Sequence, residues 1–279
     1  MILVDLQPVM IVSAVTMDEP MRCYNYFRQG FFSRIFDSIV EFFSREYGRI
    51  ILCAEGGTSW RKEVYPMYKY QRHEGAKKTE KEKALWDENH KMFDRLKAEL
   101  IECKMFQVIS AEGAEADDVI SYLALASEDP ILIVSSDKDF KQLQVNPNVK
   151  QYSIIHQKWV ECEDPKAFLI EHIVRGDSSD YIPSIKKPLH QLGVENKARL
   201  PVTKKFLMDF MAGVEYEKYA ERYKENAQLI DLTKQPDYIK KRIREAVSQE
   251  WKGNTETALN YLKDNGLGKF CDAFLMYRG

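Results

Sequence analysis

The 279-residue sequence lacks several features that would place it in a common class. It has no run of about 18 apolar residues, so no transmembrane helix is predicted. Its five cysteines are scattered without Cys-x-x-Cys spacing. That pattern favours a reducing cytoplasm and predicts neither a disulfide framework nor a zinc site. No basic segment opens the chain, so we expect no signal or transit peptide.

The sequence also lacks a large excess of either charge, since its formal net charge is only −2. The charged residues are nevertheless unevenly distributed along the chain. Residues 107–140 carry eight acids and one base, whereas residues 61–78 carry six bases and two acids. Residues 184–206 carry six bases and one acid. Carboxylates hold cations and basic flanks hold phosphates, so this order suits a metal-dependent enzyme that acts on phosphodiesters. Considered without other evidence, the charge runs are explained equally well as solvent-exposed faces of the protein.

Strand patterns alternate with helical patterns up to about residue 160. Short apolar runs predict strands at residues 2–6, 49–54, 105–110, 131–135 and 149–154. The alternation predicts an α/β fold with a mostly parallel central sheet flanked by helices. Only helical patterns follow. We therefore expect a core at residues 1–164, which includes a basic region at 61–90, and a helical subdomain at 165–279.

Acidic residues follow the predicted strands, at the sheet edge where α/β proteins place their functional crevice. We expect these carboxylates to gather there: Asp5, Glu55, Glu115, Asp117, Asp118, Asp137 and Asp139. Like charges about 4 Å apart repel by roughly 4 kcal/mol at an effective dielectric constant near 20. Such a cluster therefore requires cations or raised pKa values. Oxygen ligands favour Mg²⁺ or Mn²⁺, and two such ions can promote phosphodiester hydrolysis.

Three segments resemble, in order and spacing, the motifs of the 5′ nucleases, the flap endonuclease and 5′-to-3′ exonuclease superfamily. They are Ala-Glu-Ala-Asp-Asp at 114–118, Ser-Ser-Asp-Lys-Asp-Phe at 135–140 and Gly-Asp-Ser-Ser-Asp at 176–180. The basic residues of 61–72 resemble the stretch that leads into this family's helical arch. Residues 146–152 and 222–226 resemble the branch of bacteriophage ribonucleases H.

The resemblance implies a PIN-like α/β core, two Mg²⁺ ions that Mn²⁺ can replace, and a C-terminal helical DNA-binding subdomain. It also implies site residues by position. The first metal site would use Asp5, Glu115, Asp117 and Asp137, and the second Asp139, Asp177 and Asp180; Glu55 and Asp118 complete the predicted metal ligands. If Asp177 and Asp180 lie on a helix, their spacing puts both on one face. Lys69 and Arg72 match catalytic residues that contact the scissile phosphate, a role that their charge suits.

The resemblance and the charge pattern together predict the surface that contacts nucleic acid. Its residues would be Arg61, Tyr68, Lys69, Arg72, Lys77, Lys78, Lys186, Lys187, Lys197, Arg199, Lys204 and Lys205. Tyr68 could stack on a terminal base. The expected substrates are duplex DNA with a 5′ flap or 5′ end and RNA–DNA hybrids, cleaved to remove primers or flaps in lagging-strand replication. The resemblance also suggests a single-stranded DNA-binding protein and a sliding clamp as partners. We expect a monomer in a host cytoplasm.

Two features depart from the family pattern. Glu55 stands where the family has aspartate, and a displacement of about 1 Å in an active site can lower a rate by the order of 100-fold. Residues 184–205 contain a single glycine, Gly193, where the family has a glycine-rich hairpin that binds duplex. Lys and Arg side chains would therefore contact the duplex in place of backbone amides. Two other readings stay open: a non-catalytic structure-specific DNA-binding protein with a degenerate metal site, and a compact metal-dependent ribonuclease.

Overall fold

A computed structural model describes residues 1–17, 23–70, 79–189, 201–214 and 216–278. Its centre is a six-stranded sheet in the order β3-β2-β1-β4-β5-β6. The strands are β1 (Ile2–Asp5), β2 (Ile50–Cys53), β3 (Gln107–Ile109), β4 (Ile131–Val134), β5 (Val149–Ser153) and β6 (Lys158–Trp159). The first five pair in parallel and β6 pairs antiparallel with β5. The predicted mostly parallel α/β sheet is confirmed, whereas the two-residue β6 was too short to give a periodic signal.

Helices flank this sheet. The first half of the chain supplies α1 (Leu6–Val15), α2 (Tyr24–Ile35), α3 (Glu41–Tyr47), α4 (Arg61–Val64), α5 (Glu80–Glu102) and α6 (Ala116–Ala126). The second half supplies α7 (Pro165–Arg175), α8 (Lys204–Met211), α9 (Tyr216–Ile230), α10 (Asp237–Ser248), α11 (Thr255–Asp264) and α12 (Cys271–Arg278). Among the described residues, no helix is long and apolar enough to cross a membrane.

Three helical segments were only partly predictable from the sequence. Aromatic and aliphatic residues at helical spacing predict one long helix over residues 21–47, but the structure has α2 and α3, joined by a π-helical turn at Phe36–Val40. Residues 10–15, which had no clear periodicity, belong to α1; much of this helix is buried, so it has little polar face to read. The basic segment 61–83 has little apolar periodicity, which predicts either a loop or a mobile helix; it contains α4 and the start of α5, where Thr79 and Glu82 build a capping box.

Apolar cores lie on both faces of the sheet because successive strand residues point to opposite sides. One core combines alternate strand residues with α2, α5, α11 and α12, and the other combines the intervening strand residues with α6 and α10. Leu262 and Phe274 belong to the first core, and Ile239 and Ile243 to the second. The backbone N–H of Ile50 on β2 also donates to the hydroxyl of Tyr277 at 2.9 Å. The predicted boundary at residue 164 therefore does not coincide with a break in the hydrophobic packing.

Candidate metal centre and nucleic-acid interface

The carboxyl ends of the central parallel strands open into one cavity of about 740 Å³. Each parallel strand delivers the residues that follow it to the same edge of the sheet. Seven of the nine predicted metal ligands line this cavity: Asp5, Glu55, Glu115, Asp117, Asp137, Asp139 and Asp180. The other two, Asp118 and Asp177, are buried, with 0% and 4% of their surface exposed. The sequence-based expectation that the carboxylates gather at this edge matches the geometry.

Two glycines allow the loops that carry these acids to pass close to other backbone. A Cβ at Gly56, next to Glu55, would lie 1.7 Å from the carbonyl oxygen of Ala111, so only glycine fits between the two loops. Gly176 ends α7 with φ +71°, and a Cβ there would lie 2.4 Å from the carbonyl oxygen of Ile182. The acids at 177 and 180 therefore lie in a turn after α7, not on a helix, because Gly176 stops the helix first.

The carboxyls in the cavity oppose each other's ionisation. Burial raises the pKa of Asp5 to about 7, and repulsion from Glu55 adds to the effect. Burial, followed by repulsion from Glu115, likewise raises the pKa of Glu55 to about 7. Burial and the charges of Asp5 and Asp137 raise the pKa of Asp117 well above its usual range. A divalent cation would relieve this repulsion, so the residues present fit a metal centre of oxygen ligands.

Glu115 differs from its neighbours because hydrogen-bond donors surround it. Burial raises the pKa of Glu115, but Lys69 and Arg61 outweigh burial and lower the pKa to about 2. The Lys69 ammonium contacts Oε1, while Arg61 Nη1 donates to Oε2 at 2.8 Å and Ser59 Oγ donates to Oε2 at 3.0 Å. Lys69 has a left-handed backbone, with φ +56°, and its N–H donates to the carbonyl oxygen of Asp180 at 3.0 Å. A non-glycine residue held in this region often serves a site, and here it fixes an ammonium at the cavity.

The structure corrects the expectations for Arg61 and Asp118. Arg61 was expected to bind nucleic acid, but only 2% of its surface is exposed. Its Nη1 and Nη2 donate to both oxygens of Asp118 at 3.0 and 2.9 Å, and Trp60 Nε1 donates to the same carboxylate at 3.1 Å. Arg61 Nε donates to the carbonyl oxygen of Leu229, and the N–H of Glu115 donates to Asp118. This bidentate ion pair occupies the guanidinium and the carboxylate. Asp118 therefore positions Arg61 and does not line the cavity where a metal would bind.

Tyr68 also differs from its expected role as a base-stacking residue. Only 3% of its surface is exposed. Its hydroxyl lies 3.0 Å from Glu115 Oε2 and 3.0 Å from Asp180 Oδ2, so it bridges two carboxylates. Tyr68 lines the cavity, but so little of its surface is exposed that its ring is packed and not presented for stacking. Tyr68 instead links the carboxylates of Glu115 and Asp180, which lie on two separate loops.

The remaining residues of the predicted nucleic-acid surface fall into two groups. Five of them lie outside the described residues: Arg72, Lys77, Lys78, Lys197 and Arg199. Lys204 and Lys205 are exposed at the start of α8, and Lys187 is half-buried. The ammonium of Lys186 lies 4.0 Å from the ring centre of Phe206, next to Lys205 in the chain. Lys186 therefore lies beside the start of α8, and the turn at residues 177–183 links Lys186 to the cavity along the chain.

Sequence reasoning missed several side chains at the centre. Lys62 and Trp86 line the cavity, as does His90, which was expected to be solvent-exposed. Trp86 and His90 lie one turn apart on α5, and their ring centres are 4.6 Å apart. Their i, i+4 spacing in the sequence could have indicated that the two rings are neighbours. His172, which is 6% exposed, lies beside Asp139 and Asp177, and its place one turn before Gly176 could have drawn attention to it.

The sequence and fold are similar to those of known nucleases. The family described as 5′-3′ exonuclease, N-terminal resolvase-like domain, matches residues 19–171. The Ribonuclease H of Enterobacteria phage T4 is 33% identical over 219 residues, which cover 71% of this chain and 68% of that protein. The Flap endonuclease Xni of Shewanella sp. (strain W3-18-1) is 30% identical over 138 residues, or 46% of this chain and 48% of that protein.

Two solved structures share the fold. The bacteriophage T5 flap endonuclease, in a pseudo-enzyme-product complex with DNA and metal ions, matches 96% of this chain and 98% of its own, with a TM-score of 0.60 and 22% identity. The T5 5′-exonuclease with bound zinc matches 95% of this chain and 97% of its own, with a TM-score of 0.59 and 22% identity. From the family match and the phage relative together, the chain belongs to the 5′-3′ exonuclease family and is a nuclease, a metal-dependent phosphodiester hydrolase.

Proposed function

We propose that the protein is a two-metal 5′-to-3′ exonuclease with flap endonuclease activity on DNA and RNA–DNA duplexes. The observation that carries this proposal is the meeting of seven carboxylates from separate loops in one cavity. Burial and repulsion raise the pKa of several of them, so the cavity favours cations over bare anions. Oxygen ligands point to Mg²⁺, and Mn²⁺ would substitute for it.

The chain would hold the two ions as the family pattern suggests. Asp5, Asp117 and Asp137 would bind the first ion with Glu115, and the acids at 139, 177 and 180 would form the second position. When bound, such ions activate a water molecule and stabilise the leaving oxygen of the phosphodiester. The residues of this chain orient the substrate around them.

Lys69 is the residue best placed to act on the substrate. Its ammonium lies at the cavity beside Glu115, where it would contact the scissile phosphate and stabilise the charge that develops there. The backbone N–H of Lys69 donates to the carbonyl oxygen of Asp180 at 3.0 Å, which ties this residue to a second loop of the site. Arg72 is proposed for the same role on the family pattern alone.

Glu55 bears on the alternative of a degenerate, non-catalytic protein. That alternative rests on glutamate at a position where the family has aspartate. The Glu55 carboxyl lines the same cavity as the other acids, and Lys97 Nζ anchors its backbone carbonyl at 2.9 Å. The longer side chain therefore still reaches the centre, which favours the catalytic proposal.

The proposed substrate follows from the bases around the centre and from the relatives. Lys62 and Lys69 line the cavity, and Lys186 lies beside α8, where Lys204 and Lys205 are exposed. These bases suit a phosphate backbone. The names of the relatives, a ribonuclease H and flap endonucleases, support primer and flap removal during replication. A single-stranded DNA-binding protein and a sliding clamp are proposed partners on family grounds.

The proposal is tested by cleavage of a 5′-labelled flap duplex and an RNA–DNA hybrid, in Mg²⁺ and in EDTA. We expect short 5′ products that require the metal and that Asp137→Asn abolishes. The matched control is Asp264→Asn, an exposed acid at the end of α11, which should cleave like wild type. Binding without cleavage in both Mg²⁺ and Mn²⁺ would favour the non-catalytic alternative. Cleavage of single-stranded RNA but not of the flap would favour the compact ribonuclease.

A further inference from the structure

His172 stands inside the proposed second metal position. Its Nε2 lies 2.9 Å from Asp177 Oδ2, and its Nδ1 lies 3.4 Å from Asp139 Oδ1. The three side chains offer ligand atoms that all lie within 4.8 Å of one another. The family pattern predicted carboxylates alone here, so an imidazole changes the chemistry of the position.

Two atoms of this group are buried without a hydrogen-bond partner. They are His172 Nδ1 and Asp139 Oδ1, which face each other but do not form a hydrogen bond. When Nε2 donates to Asp177, the neutral ring carries its free lone pair on Nδ1. Two buried acceptors then lie 3.4 Å apart without a donor between them. A cation bound to both would satisfy them, and they are close enough together to be ligands of one ion.

Asp177 is surrounded by donors on its own side of the group. Ser179 N–H and Ser179 Oγ donate to its Oδ1 at 2.7 and 2.5 Å, and Lys138 Nζ lies 3.0 Å from its Oδ2. With His172 Nε2 as a further donor, little of this carboxylate is left to face a metal. A carboxylate that accepts from one nitrogen of a histidine commonly orients the other nitrogen towards an ion.

We propose that His172 Nδ1 is a ligand of the second metal ion, with Asp139 as the facing oxygen ligand and Asp177 as the group that orients the imidazole. This inference rests on the proposed metal centre and changes its second position, where Asp177 would orient His172 and would not itself bind the ion. Imidazole nitrogen is a ligand of transition-metal ions, a class that includes Mn²⁺, whereas Mg²⁺ strongly prefers oxygen. The second position should therefore select Mn²⁺ over Mg²⁺, while the oxygen-lined first position discriminates less.

The test observes the metal directly, so it does not depend on nuclease activity. The full chain is loaded with two equivalents of Mn²⁺ and examined by electron spin echo envelope modulation, which detects nitrogen bound to the ion. We expect a ¹⁴N coupling in wild type that is lost in His172→Gln, whose amide can keep the contact with Asp177 but offers no Nδ1. The matched control is His90→Gln, which removes a histidine that lines the cavity from α5 and should keep the coupling.

Calorimetric titration supplies the second measurement. Wild type should bind one Mn²⁺ at least tenfold more tightly than Mg²⁺, and this preference should fall severalfold in His172→Gln. If that variant does not fold, wild type labelled with ¹⁵N-histidine is measured instead. If the nitrogen bound to Mn²⁺ belongs to histidine, the ¹⁴N modulation must be replaced by ¹⁵N modulation. Two bound Mn²⁺ ions without nitrogen coupling in wild type would overturn the inference and leave His172 as a positioning residue. Nitrogen coupling without cleavage would instead overturn the proposed function and keep the inference.

Discussion

Asp118→Asn separates a structural carboxylate from the metal-binding ones. Asp118 accepts hydrogen bonds from two nitrogens of Arg61, from Trp60 Nε1 and from the backbone of Glu115. Asparagine offers one oxygen and turns an N–H group towards a buried guanidinium. Breaking a buried ion pair lowers the free energy of unfolding by about 3–5 kcal/mol. Because Glu115 still lies 2.8 Å from Arg61, we expect the lower end, about 3 kcal/mol.

That loss corresponds to a fall in Tm of about 6–12 °C. Thermal unfolding followed by circular dichroism in EDTA measures it, and Mn²⁺ titration measures the site. Asp118→Asn should bind Mn²⁺ within about threefold of wild type. Asp137→Asn should show the reverse: weaker metal binding, with a fold at least as stable in EDTA because one repelling charge is gone. If Asp118→Asn keeps its Tm but loses metal affinity, the carboxylate is a ligand and the reasoning is refuted.

Three further predictions concern pH, catalysis and duplex binding. In EDTA, several cavity carboxyls have a folded-state pKa near 7, above their unfolded values, so their contribution to stability should be lost as the pH rises through about 7. Urea unfolding at pH 5 and pH 8 measures this, and Mg²⁺ should abolish the difference. Lys69→Ala should slow single-turnover cleavage by about 100-fold with little change in DNA affinity; an equal loss of both would assign Lys69 to binding alone. Replacing Lys204 and Lys205 together by alanine should reduce the slope of log affinity against log salt by about 2, and an unchanged slope would place the duplex elsewhere.

The positions of the strands and the gathering of the acids were predictable, because both depend on local periodicity and on the direction of parallel strands. Asp5 and Asp137 follow apolar runs that could only be buried strands, so their meeting at one edge followed from the fold class. The roles of Arg61 and Asp118 were not predictable. The same arginine would suit a phosphate or a carboxylate, and only the packing of α4 against α6 and α9 decides between them.

His172 illustrates a second limit. A single histidine on an amphipathic helix gives no ligand spacing. Of its two carboxylate neighbours, Asp139 comes from another loop and Asp177 from the turn after the same helix. Tyr68 illustrates the same limit for aromatic residues. The sequence places it in a basic stretch, but the structure turns its hydroxyl inward to two acids. The roles that could not be predicted from the sequence therefore depend mostly on tertiary contacts.

The packing of the last helices against the first strands bears on how the chain folds during synthesis. Phe274 and Leu262 complete the core that the first 50 residues begin, and Tyr277 accepts from the backbone of β2. A nascent chain that ends after the nuclease motifs would therefore hold its central strands but leave this face of the sheet uncovered. Contacts over such long sequence separation slow folding. The ribosome must release α12 before this core can close, so the enzyme should acquire its full stability only once α12 has left the ribosome.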